Sequence, residues 1–380
     1  MSDQLVLVTG ASGYIACHVV KLLQETGYRV RGTFVRSLKN SSRVDPLKKL
    51  VSNPKHPLEL TEADLESDDG WDKAMEGVYA VMHTASPFPP VGESPSEQSL
   101  VKPAVEGTKR VLSAAAKAGI KKVVVTSSFA AVSADPAPAD PSKKFDEEDW
   151  TDTSNPAVTS YSKSKTLAER AAWDLLESLP EDQRFELSTV NPVLVMGPPL
   201  VESNKSATSV IILRDAIMAK VPGSPKLCFP ICDVRDVALA HLKCLTNPEA
   251  VGKRHIISSG GIWMKDMNQI LADEFKPQNY KVCTRELPNF AIWLASIFNE
   301  SVRKEVYPRL GSLFEINNSR MKNVLGIEPT SQKDSILDMA YAMIELGIVA
   351  KTSAYKGPKF SEKQSSGSAG SADVMAVTDL

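Results

Sequence analysis

The first thirty residues constrain this chain more than any other stretch. Gln4 to Thr9 is a short apolar run with the length of one strand, and it runs straight into Gly10-Ala11-Ser12-Gly13. A helix-periodic segment from about Tyr14 to Thr26 follows. Strand, glycine turn and helix in that order predict a buried parallel strand whose end faces the N-terminus of a helix. Such a terminus carries open amides and a partial positive charge, so it favours a phosphate. Gly10 permits the tight turn, Gly13 lets the backbone approach a pyrophosphate, and Ala16, small enough to keep helix and strand close, stands where a third glycine is usual. Backbone at Ser12, Tyr14 and Ile15 completes this candidate dinucleotide site.

The alternation continues. Gly27 ends the helix, and Arg29 to Val35 reads as a second strand. Sites for NAD carry an acid at the end of that strand to bond the ribose 2′-hydroxyl. Here the strand ends in Thr33-Phe34-Val35-Arg36, with Lys39 and Arg43 beyond it and no acid before Asp45. A guanidinium pairs with a 2′-phosphate that a carboxylate would repel, so NADPH is the expected cofactor. Leu58 to Thr61 is a third strand, and Asp64-Leu65 follows in a loop suited to the adenine edge. Tyr79 to His83 is a fourth strand. The small residues Thr84, Ala85 and Ser86 after it let backbone pass beside the ribose. His83 is read either as a packed histidine or as a proton relay. A long amphipathic helix spans Glu97 to Ala118, and Lys122 to Thr126 is a β-branched strand ending at Ser127-Ser128. A surface loop covers Ala134 to Pro141 and the acids at 146–149, then a helix from Asn155-Pro156 to about Leu179. Glu186 to Val190 is a sixth strand.

Strands alternating with helices predict an α/β fold, a Rossmann-type doubly wound parallel sheet, over residues 1–195. The alternation loosens beyond Gly197. Residues 196–350 are read as a smaller, partly interleaved substrate region with segments returning to the main sheet. Residues 351–380 are read as a tail that is expected to be disordered. Its end, Val377-Thr378-Asp379-Leu380, has the form of a peptide that extends a PDZ sheet edge.

Composition excludes several classes. A net charge of −2 over 380 residues supplies no attraction for nucleic acid or an anionic membrane. Five scattered cysteines do not form a disulfide framework, and Cys228 and Cys232 lack a second Cys/His pair, so no metal is expected. No signal peptide is visible, and the apolar stretch Phe290 to Phe298 is too short to span a bilayer. The expected compartment is the cytoplasm.

Tyr161 and Lys165 lie four apart on one helix face, after a serine-bearing strand end. With that serine they can protonate a carbonyl oxygen while a hydride reaches its carbon. At this point the sequence resembles the extended short-chain dehydrogenase/reductases of the NAD-dependent epimerase/dehydratase superfamily. It is most similar to the group of dihydroflavonol, cinnamoyl-CoA and methylglyoxal/aldehyde reductases. The likeness rests on Val8 to Ile15, Val81 to Pro87, Val125 to Ser128, Tyr161 to Lys165, Asn191 to Pro198 and Asp233 to Ala238, in family order. It implies that Ser128 holds the carbonyl, with Ser127 as the alternative serine, and that Tyr161 donates the proton. It implies that Lys165, together with the charge of the oxidised nicotinamide, lowers the phenol, and that its ammonium grips the ribose hydroxyls. A phenol working near neutrality needs its anion favoured by about 4 kcal/mol. The likeness further implies that Arg36 and Arg43 hold the 2′-phosphate, Asp64 and Leu65 face adenine, and Pro192 and Val195 face the nicotinamide. Flavonoid-type members carry an asparagine five residues after the serine; Ser133 stands there, which points to a generic aldehyde or ketone. Phe88 and Phe129 are candidates for an apolar pocket.

The leading expectation is an NADPH-dependent carbonyl reductase acting on a small molecule. A nucleotide-sugar epimerase/dehydratase, a hydroxysteroid dehydrogenase/isomerase and a non-enzymatic NADPH sensor are the competing ones. NADPH is expected to bind at least about tenfold more tightly than NADH, as suits charge-assisted hydrogen bonds of roughly 1.5–3 kcal/mol. Arg36→Glu should narrow or reverse that gap; equal affinities in calorimetry would reject the phosphate role of Arg36.

Overall fold

The computed structural model describes residues 3–35, 38, 41–86, 97–134, 143–300, 302–313 and 315–358, with only the backbone at 41–43, 304 and 305. Along the chain come β1 (Leu5–Val8), α1 (Tyr14–Glu25), β2 (Arg29–Phe34), α2 (Ser41–Lys48), β3 (Glu59–Glu62), α3 (Trp71–Met75), β4 (Val78–His83), α4 (Glu97–Lys117) and β5 (Lys122–Thr126). Then follow β6 (Lys144–Phe145), α5 (Ser160–Ser178), β7 (Glu186–Pro192), β8 (Leu194–Met196), α6 (Thr208–Ile217), β9 (Cys228–Asp233), α7 (Val234–Thr246), β10 (Arg254–Ile257) and β11 (Gly261–Trp263). The last elements are α8 (Met264–Phe275), α9 (Asn289–Phe298), β12 (Glu315–Ile316), α10 (Ser319–Asn323) and α11 (Gln332–Glu345).

Seven strands form one sheet in the order β10-β7-β5-β4-β1-β2-β3, and every pair in it is parallel. The side-chain period of two sends Val6 and Val8 into one apolar core and Leu5 and Leu7 into another. The first core takes Val19, Val20 and Leu23 of α1 and Val237 of α7; the second takes Val111 and Leu112 of α4 and Ala172 of α5. Covering both faces is what a parallel sheet of continuous apolar strands requires. This is the Rossmann-type α/β arrangement, and β10 is a later segment that returns to the sheet.

A third cluster packs α6, α8 and α11 around Phe275, Met339 and Ile344. Beside it β8 pairs parallel with β9, and β11 pairs antiparallel with β9. The Tyr161/Lys165 helix begins at Ser160 rather than at Asn155, because Asn155 closes a local turn by accepting the Ala157 amide at 2.9 Å. Thr159 then caps the helix, its hydroxyl accepting the Ser162 amide at 3.2 Å. The apolar stretch ending at Phe298 is a helix, α9, with Phe290, Trp293, Leu294, Ile297 and Phe298 exposed. Among the described residues no helix is long and apolar enough to cross a membrane.

Strand order reverses between β1 and β4, so the chain turns away in opposite directions from their ends and leaves a crevice there. The turn after β1 lies directly on β2: a Cβ at Gly32 would sit 2.5 Å from Cβ of Ala11 and 3.0 Å from Leu60. Gly32→Val should therefore lose about 1–3 kcal/mol through overpacking, read as a lower urea midpoint with unchanged slope. An unchanged midpoint would show that the turn does not depend on this contact.

Candidate active site

The crevice begins at Gly10. Its φ of +63° is a left-handed conformation that suits glycine, and a Cβ there would stand 3.0 Å from Cβ of Ala85. The turns after β1 and β4 therefore touch. Hydrogen bonds secure them: the Thr9 hydroxyl accepts the Ala85 amide at 3.0 Å and pairs with His83 Nδ1 at 2.9 Å. Thr84 donates its hydroxyl to the Thr9 carbonyl, and Thr33 accepts the Gly10 amide at 2.9 Å. His83 is a packed, hydrogen-bonded histidine. Burial, and then the nearby Lys165 charge, push it down to about 3, so it is neutral.

Gly13 caps α1 without a side-chain bond, and no acid occupies the first turn. The Gly13 amide closes the turn onto the Gly10 carbonyl at 2.9 Å, and the amides of Tyr14 and Ile15 are in the position where an anion gains most from the helix. Ser12 is fixed from a distance, its carbonyl accepting Nδ2 of the buried Asn204 at 3.2 Å. The Tyr14 phenol points the other way and donates to the Gly197 carbonyl at 2.6 Å. His18, one turn on, bonds the Pro198 carbonyl at 2.8 Å. Tyr14 can serve an anion through its backbone only.

Ser128, Tyr161 and Lys165 come together from β5 and α5. Ser128 caps the short helical turn Phe129–Ala131, its Oγ accepting the Ala130 amide at 3.1 Å, and its hydroxyl lies close enough to the Tyr161 phenol to act on it. Burial raises the phenol above its ordinary value, and the Ser128 hydroxyl opposes the rise. Burial thus works against the depression that the likeness assigns to Lys165 and the oxidised nicotinamide together, because it disfavours the phenolate. Lys165 is buried, and among the described residues its Nζ makes no hydrogen bond or ion-pair contact. Burial lowers its ammonium to about 8, and Glu169 opposes that. Lys165 lines a small cavity with His83, Ala85, Ser86, Thr108 and Ser127.

The two serines differ in what lies behind them. Ser127 Oγ donates to Glu169 Oε2 at 2.5 Å, so it is committed to the interior. Sequence reasoning did not find Glu169 or its partner Arg254. Glu169 follows Lys165 by one helical turn, a spacing that could have flagged it. Arg254 is 85 positions from Glu169 and had no local signal.

The other expected residues are scattered around this centre. Asp64 accepts the Glu66 amide at 3.0 Å, and its carbonyl takes the Trp71 indole N–H at 2.9 Å. Leu65 packs on Gly107 and its carbonyl accepts from Arg110. Pro192 ends β7 beside Ile257, and Val195 in β8 is buried against β9. Ser133 is buried one turn beyond Phe129, its amide donating to the Phe129 carbonyl at 3.0 Å. Phe129 itself stacks edge-on against Phe145 in the core. Cys228 and Cys232 are both buried in β9, and among the described residues no group of three or more His, Cys, Asp or Glu could hold a metal ion. Arg36, Lys39, Phe88 and residues 359–380, with the PDZ-like end, lie outside the described residues, as does the side chain of Arg43.

Residues 6–260 match the model of the NAD dependent epimerase/dehydratase family. Cinnamoyl-CoA reductase 1 of Arabidopsis thaliana is 35% identical over 351 residues, covering 92% of this chain and 92% of its own. The NADPH-dependent methylglyoxal reductase GRE2 of Saccharomyces cerevisiae is 35% identical over 291 residues, covering 71% of this chain and 82% of its own. The crystal structure of yeast methylglyoxal/isovaleraldehyde reductase Gre2 complexed with NADPH superimposes with a TM-score of 0.73 at 30% identity, over 90% of this chain and 99% of that one.

An ammonium held at about 8 in the fold, against an ordinary 10.5, weakens the fold wherever it is charged in both states. That cost is complete at neutral pH and vanishes as pH rises from the folded value through the unfolded one. Lys165→Met should therefore be more stable at pH 7, by about 3 kcal/mol. The gap should close toward about pH 10.5 in denaturant titrations. A Met variant less stable than the parent at pH 7 would show that the ammonium is well paired after all.

Proposed function

The chain belongs to the NAD dependent epimerase/dehydratase family, and from that premise we propose that it is an NADPH-dependent reductase of aldehyde or ketone carbonyls. The observation that carries this reading is the convergence of the Ser128 hydroxyl and the buried Tyr161 phenol, with the Lys165 ammonium one helical turn away and, among the described residues, without a hydrogen bond of its own. These groups stand at the strand ends beside the Gly10 turn. Bound there, the nicotinamide supplies the hydride.

Ser128 holds the carbonyl oxygen, fixing its carbon for attack. Tyr161 gives that oxygen its proton. A phenol that burial keeps protonated is already in the state reduction requires, so the site is poised for that direction; the reverse reaction, alcohol oxidation, needs the phenolate. Lys165, buried and free to donate, holds the ribose hydroxyls and offers positive charge as the phenol gives up its proton. The amides at the start of α1 take the pyrophosphate, and Arg36 and Arg43 the 2′-phosphate. Two relatives named as reductases, one of them NADPH-dependent, support the same reading. Ser133, at the position where flavonoid-type members carry asparagine, supports a generic carbonyl over a polyhydroxylated ring.

Tyr161→Phe should lower turnover by about 100-fold or more while leaving NADPH affinity nearly intact. NADPH absorbance followed against a panel of aldehydes, diketones, steroids and flavonoids, with fluorescence titration of the cofactor, measures both. Undiminished reduction of a good substrate by this variant rejects the assignment.

A further inference from the structure

We propose that Glu169 is a positioning residue of this site: its carboxylate, paired with Arg254, sets a negative charge beside the Lys165 ammonium and anchors the serine-bearing turn. This rests on the reductase reading above, since it concerns the same ammonium.

Tyr161, Lys165 and Glu169 are spaced at four-residue intervals and share one face of α5. The Glu169 side chain is completely buried, and donors surround it. Arg254 gives Nε to Oε1 at 2.6 Å and Nη2 to Oε2 at 3.3 Å. Ser127 and Asn191 Nδ2 donate to Oε2, at 2.5 and 2.7 Å. The Thr189 hydroxyl lies 3.1 Å from Oε1 and shares its proton with Asn191 Oδ1. A shell made almost wholly of donors suits a carboxylate and not a carboxylic acid. Arg254 is held in turn: its Nη1 donates to the carbonyls of Glu147 and Asp149, at 3.0 and 2.5 Å, and its guanidinium lies 3.7 Å from the Trp150 ring centre.

A buried ion pair adds little net stability, because desolvation offsets attraction. Its placement explains it better. The Glu169 carboxylate borders the cavity that Lys165 lines. Among the described residues that line the cavity with that ammonium, α4 offers Thr108, β4 the neutral His83, the turn after it Ser86, and the end of β5 Thr126 and Ser127. All are uncharged, so the one anion is Glu169, with the cation of Arg254 behind it. The same network reaches the serines. Ser127 bonds Glu169 directly, and Asn191 Nδ2 also reaches the Ser128 carbonyl at 3.3 Å. Charge on Lys165 and the position of Ser128 thus depend on one carboxylate.

The test is the pH dependence of NADPH affinity, followed by protein fluorescence, alongside kcat/KM for reduction. Glu169→Gln should move the alkaline weakening of NADPH binding to lower pH by about one unit, a tenfold loss of proton affinity. The alkaline limb of kcat/KM should follow it, and Glu169→Asp should recover part of both shifts. Because glutamine leaves Arg254 unpaired, Glu169→Gln with Arg254→Met provides a second variant without the stranded cation, and the same direction of shift is expected. A folded double variant with the parental profile would overturn the inference and leave the pair as a tie between α5 and β10. If the parent binds NADPH yet reduces no carbonyl, the reductase reading fails, while the affinity profile still judges Glu169.

Discussion

The contact between Gly10 and Ala85 is the constraint on which the site depends. Parallel strands end together, and where strand order reverses the two adjoining turns face each other across a gap. Here the gap is closed until a Cβ at Gly10 would stand 3.0 Å from that of Ala85. The Thr9 hydroxyl, bonded to Ala85 and His83 together, makes the fit a hydrogen-bonded one. With both turns fixed, the next strand end toward β10 places Ser128 beside them, and α5, packed against α4, presents Tyr161 and Lys165. A parallel sheet with its switch point between β1 and β4 leaves few other places where these side chains could converge.

Much of this was legible because it rests on local periodicity. A strand-length apolar run before two glycines, and a Tyr and Lys four apart, state their geometry within a few residues. The parts that were not legible depend on distance or on competition between local bonds. Asn155 could have opened a helix, and only its bond to the Ala157 amide shows that it closes a turn. Tyr14 reads as part of a nucleotide turn, yet its phenol serves a carbonyl 183 positions away. Ser127 and Ser128 are chemically identical in the sequence. They are told apart by Glu169, whose own partner is a strand residue that periodicity cannot pair with it. The small β8-β9-β11 sheet was harder to read for a related reason, since its strands are short and its two pairings have opposite sense.

Burial does opposite work on the two titratable groups of α5, and the pair makes chemical sense only jointly. Removing water raises a phenol and lowers an ammonium, so both neutral forms are favoured. For Tyr161 that is the proton-donating form, and the fold supplies it without help. For Lys165 the neutral form would forfeit the charge that the proposed reaction needs as the phenol releases its proton. The same low-dielectric crevice thus suits one partner and undermines the other. A carboxylate one turn further along the helix, paired with a guanidinium from β10, opposes the second effect while lying too deep to take part in the chemistry. Placed nearer to Tyr161, an anion would raise the phenol further and oppose proton transfer. The order Tyr161, Lys165, Glu169 along one helix face puts the positive charge between the phenol and the anion, the one sequence of charges in which each neighbour favours the state the reduction uses.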